Sequence, residues 1–267
     1  MAPGYVLGNL AREIKRLEIQ AGLFAPLSRE ALLKAGIKKG MRCIDIGCGS
    51  GSMTRMMADI VGRSGKVVGV DIDEKYLEYC RSVSRKPNVE FVRDNISNSS
   101  LDSIENFDIV FSRFLFVHLQ DKSSAVRSMK RLLNKGGAMV IQELDHSEGS
   151  WLCYPEDRNV EALRKVYVAL LKKSGGDPLA GRKLYKLLVD ESLDASMECY
   201  SPCLLMGHEP YSSLGWRIME SLRPQIMNLR LLDKRQYAKM YKGLKQLAKS
   251  RVAYVTYARF FSAAGRR

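Results

Sequence analysis

The sequence predicts an α/β fold: a doubly wound, mostly parallel sheet with helices on both faces and helical insertions. Three observations carry that expectation. The stretch Met41 to Thr54, MRCIDIGCGSGSMT, joins a short apolar run to a glycine turn and then to a helix-compatible run. Further apolar strand-type runs follow it, several of them ending in an acid. The chain has 267 residues, enough to bury a full core as one domain with insertions, and contains no uninterrupted apolar run of membrane-spanning length.

In the first stretch, Cys43 to Ile46 is apolar except for Asp45. Gly47, Gly49 and Gly51 follow, separated by single residues, and Ser52 to Val61 then reads as a helix. Glycine suits a turn that takes unusual dihedrals and lets a ligand come close to the backbone. A helix start offers unpaired N–H groups and the positive end of a dipole, which favours an anionic group. The pattern is not the G-x-G-x-x-G of dinucleotide enzymes, because the third glycine comes one residue early and position 52 is Ser52. It holds no Lys, so it is not a phosphate-gripping Walker loop. An acid inside the first strand instead suits a cationic ligand.

At these residues the sequence resembles the class I S-adenosylmethionine-dependent methyltransferases, whose first motif reads (D/E)-x-G-x-G-x-G and stands here as Asp45-Ile46-Gly47-Cys48-Gly49-Ser50-Gly51. The later runs fit the same pattern. Lys66 to Asp71 is a second strand whose terminal acid comes 20 residues after Gly51 and is placed to accept from ribose hydroxyls. Asn88 to Asn95 is a third, and the resemblance implies that Asp94 receives the adenine amino group, with Asn95 along the ring. Phe107 to Ser112 is the fourth, and Leu132 to Gly137 leads into the fifth, Ala138 to Glu143. The resemblance implies a seven-strand sheet and S-adenosylmethionine as cofactor. The cofactor residues it implies are Asp45, Gly47, Gly49, Gly51, Asp71, Ile72, Asp94, Asn95 and Ser112.

Before the glycine turn, Gly8 to Phe24 has helical apolar spacing, Pro26 is expected to break it, and Ser28 to cap a second helix through Lys34. The opening Tyr5-Val6-Leu7-Gly8 resembles a bacterial and archaeal subgroup of these enzymes, which implies that Tyr5 and Gln20 touch the cofactor; plain packing is the alternative for Tyr5. Glu74 to Val83 and Asp121 to Leu133 read as helices. Between the fourth strand and the second of these lies Arg113 to Leu119, which in the family faces the acceptor, so His118 is a candidate base. A lone His on an apolar run is more often a satisfied structural residue.

Ligands of doubly wound sheets sit at the carboxyl ends of the strands. Glu143, Asp145 and His146, after the fifth strand, are therefore acceptor-site candidates, with Trp151 and Tyr154 as apolar walls. Pro155 to Lys173 and Gly181 to Val189 read as helices, Asp194 to Met206 as a sixth strand, and Val252 to Phe260 as an antiparallel seventh. Pro210 to Lys249 is largely helical, with Gly215, Pro224 and Gly243 as expected breaks. The expected organisation is an N-terminal helical arm (1–40), a cofactor-binding core (41–147), a helical cap insertion (148–180), a core continuation (181–206), a basic helical cap insertion (207–249) and a final core strand (250–267).

The net charge of +14 is uneven. Residues 217–267 hold 13 basic and 2 acidic side chains, a net of +11, and the other 216 residues hold 30 basic against 27 acidic. That points either to an anionic partner or to a solvated helix face. Six cysteines without a C-x-x-C pair, and no leader-type N-terminus, suggest reduced thiols, no metal and a cytoplasmic protein.

The expected reaction is methyl transfer to a small molecule in a capped pocket. His118, Glu143 and His146 are the candidate catalytic residues, and Arg113, Asp145, Trp151 and Tyr241 the candidate acceptor-binding ones. The run after the fourth strand, Ser112 to Leu115, is neither an Asn-Pro-Pro-Tyr amino-methylation motif nor a cysteine site of carbon-methylating RNA enzymes. The alternatives are an RNA or protein methyltransferase docking through the basic C-terminal region and a non-enzymatic nucleotide-binding module. The presence of Asp45, Asp71 and Asp94 weighs against the last.

Overall fold

The computed structural model describes residues 10–98 and 106–267, in two compact units. One comprises 24–98, 106–143, 180–199 and 261–267; the other comprises 10–23, 144–179 and 200–260.

The first unit is built on a seven-strand sheet. Its strands are β1 (Arg42–Ile46), β2 (Lys66–Asp71), β3 (Val89–Arg93), β4 (Phe107–Arg113), β5 (Leu133–Asp145), β7 (Asp194–Tyr200) and β10 (Arg259–Arg266), in the order β3-β2-β1-β4-β5-β10-β7. The first five are parallel. β10 runs the other way along β5: Arg267 exchanges backbone bonds with Gly136 and Gly137 near the start of β5, while Ser262 meets Gln142 near its end. Parallel strands need crossover connections. These are α2 (Ser52–Val61), α3 (Glu74–Val83) and α4 (Lys122–Arg131), the last two capped by Asp73 and Asp121. One core joins α1 (Leu10–Lys34) and α2 to the sheet through Leu32, Met57, Cys43, Ile109, Phe111 and Val140.

α1 is one helix of 25 residues, and Pro26 lies inside it rather than breaking it. Phe24, Ser28, Ala31, Leu32 and Ala35 are all buried at helical spacing on both sides of the proline. Ser28 is not a cap: its hydroxyl donates to Gln142 Oε1 at 2.6 Å. Tertiary contacts on both sides of Pro26 thus outweigh the one backbone hydrogen bond it removes.

The second unit holds α5 (Arg158–Lys173), α7 (Leu214–Ser221), α8 (Arg223–Asn228), α9 (Lys234–Leu247) and a small antiparallel sheet in the order β6-β9-β8, with β6 Cys153–Tyr154, β8 Cys203–Leu205 and β9 Tyr254–Thr256. α6 (Leu184–Asp190) belongs to the first unit. The expected sixth strand over 194–206 is therefore two strands, β7 and β8, and the expected seventh over 252–260 is β9 followed by β10. Pro202, which has no N–H to donate, stands at the first break, and its carbonyl accepts from Tyr257 N at the second, at 2.8 Å. Gly215 and Gly243 lie inside α7 and α9 and are not breaks. A Cβ at Gly243 would meet Asn159 Nδ2 at 2.5 Å, so this glycine serves the close packing of α9 on α5. Among the described residues no helix is long and apolar enough to cross a membrane.

Candidate functional site

The glycine turn sits at the carboxyl end of β1, beside those of β2 and β4. Gly47, Gly49 and Gly51 all have positive φ, at 75°, 52° and 72°. Gly47 N and Cys48 N donate to Val70 O, which fixes the turn against β2. The three glycines differ in what surrounds them. A Cβ at Gly51 would meet Cys80 Sγ at 2.8 Å, and one at Gly47 would meet Leu115 at 3.2 Å, whereas one at Gly49 would meet nothing within 4 Å. Gly49 is the point where the turn leaves room for a ligand to approach the backbone.

Three acids lie at or next to the carboxyl ends of the neighbouring strands β1, β2 and β3. Asp71 ends β2 and accepts from Gly49 N at 2.9 Å through one carboxylate oxygen and from Asp73 N at 3.0 Å through the other. Burial raises its pKa despite those bonds. Asp45 is buried and accepts from the Thr54 hydroxyl at 2.6 Å; burial pushes its carboxyl up to about 6, against the hydrogen bond and the nearby Arg113 charge, which hold it down. Asp94 follows β3, where its N–H donates to Asp71 O, and its Oδ1 accepts from Asn95 N. Asn95 Oδ1 in turn accepts from Ser97 N. Ile72 is half exposed beside Asp71, as an apolar edge for a planar base would be.

The other sequence-derived residues of this unit have defined partners. The Ser112 hydroxyl donates to Ile46 O at 2.9 Å and ties β4 to β1. Arg113 donates through Nη1 to Ser28 Oγ at 3.0 Å. Glu143 is buried and accepts from Val117 N at 2.8 Å, which anchors the turn Phe116–His118; His118 is exposed on that turn. Thr54, Cys80 and Gln142 were not singled out from the sequence, and Ser28 only as a helix cap, although all four shape this end of the sheet. Gln142 left a signal, as the first polar residue after the apolar run Ala138 to Ile141.

In the second unit, His146 is enclosed. Its Nδ1 accepts from Trp151 Nε1 at 3.2 Å, its carbonyl accepts from Arg164 at 2.8 Å, and its ring lies 4.8 Å from that of Tyr167. Burial lowers its pKa to about 3, so the imidazole is neutral and a poor proton acceptor at physiological pH. His146 thus packs among Trp151, Arg164 and Tyr167. Asp145 is fully buried and accepts from Ser147 N. Gln20 also spends its amide within this unit: Oε1 accepts from Arg16 at 2.6 Å and Nε2 donates to Tyr257 at 3.4 Å. Tyr241 stacks on Tyr237 at 6.0 Å and meets Trp216 edge-on at 6.2 Å. Leu244, Trp151 and Tyr257 line an apolar cavity of about 30 Å³. Tyr5 lies outside the described residues.

A sequence model of a methyltransferase domain family matches residues 37–188. The ubiquinone/menaquinone biosynthesis C-methyltransferase of Cronobacter sakazakii is 34% identical over 114 residues, which cover 41% of this chain and 45% of that protein. The protein of the same description from Shewanella sediminis is 32% identical over 150 residues, 55% of each. The chain thus spans about half the length of these relatives. Among solved structures, a SAM-dependent methyltransferase from Aquifex aeolicus superposes with a TM-score of 0.52 at 21% identity, covering 69% of this chain and 88% of that one. Haemonchus contortus phosphoethanolamine N-methyltransferase 2, in complex with S-adenosyl-L-methionine, gives 0.54 at 19% identity, covering 95% and 52%. At such identities the likeness is one of fold.

Proposed function

Because this chain belongs to the methyltransferase domain family, we propose that it is an S-adenosylmethionine-dependent methyltransferase acting on a small molecule. The observation that carries the cofactor assignment is the open approach at Gly49, whose backbone N–H is held by Asp71, with the buried Asp45 two residues before the first glycine of the turn. An acid-lined turn suits a ligand with an ammonium and a sulfonium, and it would repel a pyrophosphate. Asp71 would hold the ribose, Asp94 and Asn95 the adenine, and Asp45 would face the methionine ammonium.

When bound, S-adenosylmethionine supplies an already activated methyl group. The chain's work is then mainly positioning, which can be worth roughly 7–11 kcal/mol of a barrier. The turn Phe116–His118, pinned by Glu143, follows β4 and offers the acceptor an exposed imidazole. His118 would take a proton from an oxygen or nitrogen acceptor, a contribution worth typically 10²–10⁴-fold. Glu143 acts through that turn as a positioning residue. The small-molecule reading is supported by the relatives, whose names place their methylation in quinone biosynthesis.

Calorimetry tests the cofactor assignment: S-adenosylmethionine and S-adenosylhomocysteine are expected to bind, and no binding, or tighter binding of NAD, would overturn it. A second reading, a polyanionic acceptor such as RNA, has one observation in its favour: α9 carries five basic residues and no acid. Activity that collapses between low and moderate salt would favour it.

A further inference from the structure

The face of the sheet that packs on α1 and α2 changes character at the carboxyl ends of its strands. Cys43, Ile109, Phe111, Ala138 and Val140 are apolar and belong to one core. Side chains alternate along a strand, so Asp45, Arg113 and Gln142 continue the same rows on the same face. The register agrees: Asp45 pairs with Phe111 and Arg113 with Gln142. The rows thus end in a polar file across adjacent strands, and hydrogen bonds continue it. Arg113 Nη1 donates to Ser28 Oγ at 3.0 Å, Ser28 donates to Gln142 Oε1 at 2.6 Å, and Gln142 Nε2 donates to Ser262 Oγ at 3.0 Å. Ser28 and Gln142 are fully buried, so this chain anchors the guanidinium in one place.

The placement puts a cation and an anion side by side at the glycine turn. Asp45 lies one residue before the end of β1 and Arg113 is the last residue of β4, diagonal to it on the neighbouring strand. Arg113 is near enough to draw the Asp45 carboxyl down, and its guanidinium also lies over the Phe114 ring at 5.4 Å. Phe114 has a φ of 61°, a conformation rarely adopted by a residue with a bulky side chain, and its N–H donates to Gln142 O. The strand end is therefore held on both sides of Arg113.

The methionine part of S-adenosylmethionine is itself a zwitterion, with an ammonium and a carboxylate on one carbon. We propose that Arg113 is a cofactor-binding residue: its guanidinium takes the α-carboxylate of the methionine moiety while Asp45 faces the ammonium. The planar fork of a guanidinium matches a carboxylate in a way that an ammonium side chain does not. This assignment rests on the cofactor reading above, and it moves Arg113 from the acceptor to the cofactor.

The test is calorimetry with two ligands, S-adenosylhomocysteine and its decarboxylated amine analogue, on the full chain. In the parent, S-adenosylhomocysteine should bind at least tenfold more tightly than the analogue. In Arg113→Gln its affinity should fall at least tenfold, while the analogue changes less than about twofold. Arg113→Lys, which keeps the charge and loses the fork, should fall between the two and retain the selectivity in part. Equal losses for both ligands, in either variant, would overturn the carboxylate assignment and leave the cofactor reading standing. A parent that binds neither ligand would overturn that reading itself.

Discussion

The two compact units bury polar groups in different ways. Around the glycine turn, the partners are near in sequence or meet at adjacent strand ends: Thr54 bonds Asp45 nine residues away, and Gly49 bonds Asp71 22 residues away. In the other unit some buried groups also find partners far along the chain, alongside close pairs such as His146 and Trp151. Gln20 reaches Tyr257 across 237 residues, and Ser221 donates to Glu13 across 208. The first arrangement leaves backbone and carboxylates beside an open approach. The second closes on itself, and Glu13, Arg16 and Gln20 satisfy one another. The turn thus borders open space at Gly49, whereas these groups of the second unit are bonded to one another.

Substitutions at two glycines of the same turn give the largest test of that contrast. Gly51→Val combines a left-handed φ, costing about 1–3 kcal/mol, with a Cβ pushed onto the Cys80 thiol. It should lower the melting temperature strongly and abolish cofactor binding. Gly49→Ala meets open space, so its stability cost should be only the backbone term, about 1–2 kcal/mol, while cofactor affinity falls at least tenfold. If Gly49→Ala binds S-adenosylhomocysteine like the parent, the approach is not where the ligand sits.

Asp71→Ala comes next. It removes a charged acceptor from a ribose and should weaken S-adenosylhomocysteine binding by about 1.5–3 kcal/mol. It also unpairs Gly49 N and Asp73 N, so part of the loss should appear as stability. Comparing the fall in affinity with the fall in urea midpoint separates the two, and an affinity loss no larger than the stability loss would make Asp71 a structural residue.

The units should also titrate oppositely. The His146 imidazole stays neutral in the folded chain down to about pH 3, against an ordinary 6.5. Between those values the unfolded chain binds more protons, so acidification destabilises the fold, with a limiting slope of about 1.4 kcal/mol per pH unit. Asp45 has a folded pKa of about 6 against an ordinary 3.8. Between those values the folded chain binds more protons, and acidification favours it. Stability should therefore fall from pH 6.5 toward 6, flatten as Asp45 compensates, and fall again below about pH 4. His146→Gln, which keeps an acceptor for the Trp151 indole, should remove the first fall, and urea denaturation across this range would show it.

The parts legible in the sequence are those set by local grammar. The glycine turn, α2 and α3 and the ends of β2 lie where residue spacing puts them, because each is a strand, turn or helix that carries its own signals. Pro26 was misleading because a buried stripe from Phe24 to Ala35 overrode a local breaker. Gly243 was misleading because its reason lies in Asn159 on another helix. The last two expected strands were misdrawn because β-type residues continue through Pro202 and Tyr257 while the chain changes sheets. The surroundings of His146 were not legible, because nothing in ELDHSEGS reveals that Trp151 and Arg164 enclose it.

The smallest expected effect concerns α9, where the two acceptor readings part. Lys239, Lys242 and Lys245 are exposed, and Tyr237, Met240 and Leu244 are buried, so the helix is amphipathic as its spacing implies. Lys239 and Lys242 face solvent, and surface substitutions of this kind usually stay within about 0.5 kcal/mol. Lys245 is different, since its ammonium lies 4.9 Å from the ring centres of both Trp216 and Tyr241. An exposed contact of this kind is worth about 0.5–1 kcal/mol. Reversing all three to Glu should therefore cost about that much stability, most of it from position 245. For a small acceptor, cofactor affinity and turnover should stay near the parent's at any ionic strength. For a polyanionic acceptor, turnover should collapse in the variant, and the parent's should fall steeply with salt. Reversing Lys239 and Lys242 alone is the sharper variant, because it leaves the Trp216 cluster intact and changes only charge.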